Sequence, residues 1–145
     1  MFVTREADYA VRCVLFLSRE ADRTVSANEI ANSMAVPKSF LSKILQKLSK
    51  KGIVQSSQGM AGGFRLARLP DQVNLFEVLE AIQGPSMVNA CATDRHQCGF
   101  SSYCVVHPIW VELREGIEQR LKKETFAGLI KKGKRVLGVR QNSLY

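Results

Sequence analysis

The most constraining feature of this chain is an unbroken succession over residues 25–67: a short helical segment, a tight turn, a second helical segment, then two alternating strands around a glycine-rich tip. The first segment is VSANEIANSM. Ser26 is placed to cap it, and Glu29, three residues on, completes a capping box. Ile30, Ala31 and Met34 form its apolar face. Ala35-Val36-Pro37 predicts a turn, and a proline at a helix start opens the next segment, KSFLSKILQKLSKKG. There Phe40, Leu41, Ile44, Leu45 and Leu48 are spaced for burial, and Gly52 supplies the stop. Ile53–Ser57 and Phe64–Ala67 alternate as strands. In the intervening QGMAGG, Gly59, Gly62 and Gly63 permit backbone shapes and close approaches that a side chain would block.

Helix, turn, basic helix and hairpin in this order predict a winged helix-turn-helix, mainly α with a small β-hairpin wing. The second helix of such a pair lies in the major groove, about 12 Å wide, with its outer face toward base edges. Lys38, Ser39, Ser42, Lys43 and Lys47 are the candidate DNA-binding residues of that helix, with Lys43 and Lys47 both expected to point outward. Gln58, Gly59 and Arg65 are the candidates from the wing, within reach of phosphates or the minor groove. The composition agrees: a net charge of +8 and a pI near 9.6 favour a polyanion, nucleic acid first.

The remaining elements extend this frame. TREADYAVRCVLFLSRE carries a helical stripe over roughly residues 4–20, in which Cys13 reads as a small core hydrophobe. LFEVLEAIQG is a further helix, with Asn74 as cap and Gly84 as stop. Pro108 opens a long helix, expected to run over 108–130, on which Ile109, Leu113, Ile117 and Leu121 step by four. That stripe predicts a second copy of the chain as its partner, whereas Trp110 reads as a packing anchor. Residues 131–145 read as a basic, weakly patterned tail. The expected organisation is therefore a DNA-binding unit over 1–84, a cysteine-rich loop over 85–107, the dimerisation helix and the tail. No run of 18 apolar residues is present, and acidic residues interrupt the N-terminal segment. A cytoplasmic location is expected.

The cysteine-rich loop carries the chemistry. Cys91, Cys98, Cys104 and His107 are spaced C-x6-C-x5-C-x2-H within 17 residues. In a reducing compartment such a set binds metal more often than it forms disulfides. Thiolates select iron–sulfur clusters or zinc, and imidazole completes either set. His96 lies inside the loop without a required part in it. The chain has no C-x-x-C pair and no nucleotide-binding glycine fingerprint, so it does not read as an enzyme.

Over nearly its whole length the chain resembles the IscR/NsrR-type family of winged-helix regulators. The resemblance is carried by TREADYAVR, by SANEIANSMAVPKSFLSKILQKLSKKGIV, by GMAGGFRLA, by LFEVLEAIQG, and by the three-cysteine loop ending CVVHPIW. It implies a homodimeric transcription regulator that binds inverted-repeat DNA under the control of an iron–sulfur cluster. Cys91, Cys98 and Cys104 would be the cluster thiolates. His107 falls where the IscR branch, similar to a 2Fe–2S sensor, places its histidine. Asp8 falls where the NsrR branch, similar to a 4Fe–4S nitric-oxide sensor, takes a carboxylate from the partner subunit. Both are present; His107, and with it 2Fe–2S, is the favoured reading. Gln58 stands where relatives often have arginine, and Met60-Ala61 replaces a Pro-Gly pair.

Overall fold

Helix α1 (Arg5–Arg19) starts at Thr4, whose Oγ1 accepts from the Ala7 N–H at 3.1 Å. Glu6 and Asp8 lie in its first turn and Arg19 in its last, the signs that suit the helix dipole. Ala7, Ala10, Cys13, Val14 and Leu17 form a fully buried stripe along it. Burial pushes the Cys13 thiol up to about 12, which makes it an inert packing group, as expected. The computed structural model describes residues 3–85 and 88–138.

Helix α2 (Ala27–Met34) is capped by Ser26, whose Oγ accepts from the Glu29 N–H at 3.2 Å. The Glu29 carboxylate is held below its usual range, first by Arg23 and more weakly by the Ser26 backbone. Ala35 then takes a left-handed conformation, φ 51°, and turns the chain into α3 (Lys38–Lys50). Leu41, Ile44, Leu45 and Leu48 are buried as expected. Phe40 is not: it lies on the flank of α3, 37% exposed, with its ring edge-on to Tyr9 at 5.4 Å.

The wing is antiparallel, β1 (Val54–Ser57) against β2 (Gly63–Leu66), with Val54 opposite Leu66 and Ser57 opposite Gly63. Val25, just ahead of α2, adds a bridge to Phe64: its N–H donates to the Phe64 carbonyl at 2.9 Å and its own carbonyl accepts at 2.7 Å. This bridge requires glycine at 63. A Cβ there would stand 2.3 Å from the Val25 carbonyl oxygen, and φ is +153°.

Helix α4 (Leu75–Gln83) is capped by Asn74, Oδ1 accepting from the Glu77 N–H at 3.0 Å, and stopped by Gly84 at φ 79°. A short helix α5 (Ala90–Thr93) opens the cysteine loop, whose residues 86 and 87 lie outside the described part.

The C-terminal region departs from the expected single helix. Helix α6 (His107–Lys122) ends early, and α7 (Phe126–Gly138) follows. Thr125 Oγ1 accepts from the Gly128 N–H at 3.1 Å and starts the new helix. The break is sewn to the segment before α4: Leu75 N–H donates to the Glu124 carbonyl at 2.8 Å, and Phe126 N–H to the Val73 carbonyl at 3.0 Å. Arg120 and Lys132 both reach the Glu124 carboxylate at 2.6 Å, spanning the break and holding that carboxyl below its usual range. Phe126 is completely buried, and α7 packs on α1. Residues 131–138, expected in a weakly patterned tail, are thus helical, while 139–145 lie outside the described residues. Burial of Phe126 and a threonine cap outweigh the stepping pattern that suggested continuity.

Gly63→Ala is expected to lower unfolding free energy by about 1–3 kcal/mol, because backbone must move to admit the methyl group. Urea unfolding measures this, and unchanged stability would remove the close approach from the account.

Candidate nucleic-acid interface and cysteine loop

The outer face of α3 is cationic because its sequence puts no acid there. Lys38, Ser39, Ser42, Lys43, Gln46 and Lys50 are all exposed on it. Among the described residues, Lys38, Lys43, Lys50 and Lys51 have no ion-pair partner. Lys50, in the last turn of α3, and Lys51, its C-cap, add to this free positive charge beyond the residues that the sequence singles out. Lys47 departs from expectation. Its ammonium is turned to the flank, 2.9 Å from Glu6 Oε1 and 3.4 Å from the Ile82 carbonyl, so it does not point outward like Lys43.

On the wing, Gln58, Gly59, Met60 and Ala61 are exposed at the tip. Arg65 is exposed on β2 across from Gln55. The sequence-predicted DNA residues, Lys47 apart, thus occupy exposed positions on α3 and the wing, two elements consecutive in the chain.

The cysteine loop is built of tight turns. Cys91 is buried in α5, and Asp94 accepts from the His96 N–H at 3.0 Å to start a single 3-10 turn over Arg95–Gln97. Buried Ser101 donates to the carbonyls of Arg95, at 2.7 Å, and Cys98, at 3.0 Å, folding the chain back on itself. Cys98 and Cys104 are half-buried, and all four cysteines of the chain are free thiols. His107 opens α6, with its N–H on the Cys104 carbonyl at 3.3 Å. Its imidazole Nδ1 is buried and has no hydrogen-bond partner. Nearby, Phe100 and Tyr103 meet edge to face at 5.8 Å while both stay exposed.

These donors suit a thiolate-rich centre in kind: three free thiols, and one imidazole nitrogen withdrawn from water with nothing to bind. They do not converge in the chain alone, since among the described residues no three His, Cys, Asp or Glu side chains come together as a metal site. Asp8 lies elsewhere, on the exposed side of α1. Its carboxylate is paired with Arg12 at 2.8 Å, and Arg12 in turn sits over the Tyr9 ring at 5.4 Å.

Helix α6 leaves Ile109 and Leu113 about half exposed. With Gly116 and Ile117 they line an open apolar groove of about 610 Å³. Leu121, at the end of the predicted stripe, lines the same groove while also packing against the core.

In metal-free protein a thiol reagent is expected to modify Cys98 and Cys104 readily, Cys91 slowly, and Cys13 only on unfolding. Four equally fast thiols in folded protein would contradict the burial order.

Comparison with known proteins agrees with this geometry. The Rrf2 signature, described as an iron-dependent transcriptional regulator, matches residues 3–132. A protein of Aquifex aeolicus named as an HTH-type transcriptional regulator is 34% identical over 124 residues, covering 84% of this chain and 86% of its own. The HTH-type transcriptional regulator NsrR of Bacillus licheniformis is 29% identical over 110 residues, 75% of this chain and 73% of its own. Among solved structures, T. potens IscR superposes with a TM-score of 0.77 at 21% identity, covering 100% of this chain and 94% of that one. The relatives are named as transcriptional regulators and not as enzymes. Helix pair, wing and matched signature together place this chain in the Rrf2 family of transcriptional regulators, the IscR/NsrR type of winged-helix protein.

Proposed function

We propose that this protein is a cytoplasmic, homodimeric transcription regulator whose affinity for an inverted-repeat DNA operator is set by an iron–sulfur cluster held in the cysteine loop. The observation that carries the sensing half is the donor set of one loop: the free thiols of Cys91, Cys98 and Cys104, and His107, whose buried Nδ1 lacks a partner. The DNA-binding half rests on the unpaired cations of α3 and the exposed wing. Lys38, Ser39, Ser42, Lys43, Gln58, Gly59 and Arg65 would make the contacts, with phosphates fixing register and base edges giving specificity.

Cys91, Cys98 and Cys104 would supply thiolates, and His107 the fourth ligand. Asp8 is the alternative, but its carboxylate would first have to leave Arg12. The unpartnered Nδ1 of His107 has no such bond to give up, which supports His107 and the 2Fe–2S form over 4Fe–4S. A bound cluster would supply a centre open to oxidants or nitric oxide. Since the donors lie apart in the single chain, closing around the cluster would reshape the loop between α4 and α6, which is how ligation could bias the two recognition helices of a dimer.

Protein purified without air is expected to show visible charge-transfer absorption with matching iron and sulfide. Alanine at Cys91, Cys98 or Cys104 should remove it, and His107→Ala should shift it while Asp8→Ala changes little. Colourless protein containing zinc would favour a structural-zinc DNA-binding module. Bleaching by Asp8→Ala alone would move the fourth ligand to the carboxylate.

The homodimer would form along α6, through Ile109, Leu113 and Ile117, with Leu121 closing the seam against the core. Leu113→Glu would put a charge into that interface and is expected to yield monomers in sedimentation. DNA affinity should fall with it, because one subunit presents one recognition helix. A monomeric wild type at micromolar concentration would refute the seam.

A further inference from the structure

We propose that Glu6 masks Lys47: it holds this one cation of the recognition helix off the DNA and pins the second half of α3 against α1 and α4. The inference rests on the DNA-binding reading of α3.

Lys47 is the only lysine of α3 with an ion-pair partner among the described residues. Its ammonium sits in a joint of three helices: Glu6 from α1 at 2.9 Å, and the Ile82 carbonyl in the last turn of α4 at 3.4 Å. The same turn of α4 grips the start of α1, because Thr4 donates from its backbone N–H and its hydroxyl to Gln83 Oε1 at 3.1 and 3.3 Å. Lys47 is thus fixed from both sides, while Lys43, one turn earlier, stands exposed and unpaired.

The consequence follows from how cations bind DNA. Each lysine that neutralises a phosphate releases counterions and adds about 0.9 to the salt slope of binding, whatever the sequence. An ammonium satisfied by a carboxylate adds little. Withholding Lys47 therefore lowers sequence-independent affinity and leaves base contacts untouched. Lys47 and Glu6 are positioning residues in this account, and neither touches DNA.

The test measures salt-dependent binding of the full-length protein to a random-sequence duplex by fluorescence anisotropy. Lys43→Gln should flatten the slope by about 0.9 per subunit. Lys47→Gln should leave it unchanged. Glu6→Gln should steepen it by about 0.9 per subunit, and Glu6→Gln with Lys47→Gln should restore the wild-type slope. Circular dichroism confirms folding, and Glu6→Asp, whose carboxylate is one methylene shorter, replaces Glu6→Gln if that variant does not fold. Flattening by Lys47→Gln alone would make Lys47 a direct contact and overturn the proposal. So would a Glu6→Gln effect that is absent, or that persists in the double variant as a mere change in net charge. A wild type with no salt-dependent binding would instead refute the DNA-binding reading itself.

Discussion

Helix α1 can serve as the centre of this molecule because its inner side is slim. Ala7 and Ala10 are completely buried, Tyr9 between them packs to the side against Phe40, and Val14 and Leu17 follow further along. Small residues let neighbouring helices approach closely, and α2, α3, α4, α7 and strand β2 all pack against this one rod. The orientation of α3, the helix proposed to enter the groove, is thereby set by α1. A swelling of α1 at Ala7 or Ala10 would act on α3, α4 and α7 together, since overpacking a close-packed core displaces backbone and not just side chains.

The part of the fold governed by local signals was legible in the sequence. Ser26, Asn74, Gly52 and Gly84 cap or stop helices where their chemistry predicts, and Gly62 and Gly63 lie where a methyl group would strike backbone. What escaped depended on distant partners. The stepping of Ile109, Leu113, Ile117 and Leu121 is compatible with a long helix, and nothing local announces that Phe126 is taken by the core. Phe40 and Lys47 were misplaced for a related reason. A periodicity argument assigns a flank residue to core or solvent, whereas both rest on a neighbouring helix, against Tyr9 and Glu6.

The candidate site divides along the same line. Cationic residues on one helix face were readable because the helix itself sets their direction. The cysteine spacing identified donors and their chemistry but could not place them, because the loop takes its shape from turns such as the Ser101 clasp on Arg95 and Cys98. His107 acquires its character from position as well as type. As the first residue of α6 it is carried against the protein, and its Nδ1 loses water without gaining a partner.

Phe126 has a bearing on the order in which this protein is made. The largest fully buried side chain of the core arrives after the recognition helix, the wing, the cysteine loop and α6 have all been synthesised. Removing a core phenylalanine costs about 3–5 kcal/mol, a large share of the stability of a small domain. A growing chain that has not yet reached residue 126 already holds α3, the wing and all four thiols, but has a hole at its centre and lacks the hydrogen bond from the Phe126 N–H to the Val73 carbonyl. Folding to the native state waits for the helix that carries Phe126, so an unfinished polypeptide on the ribosome is poorly equipped to compete for DNA.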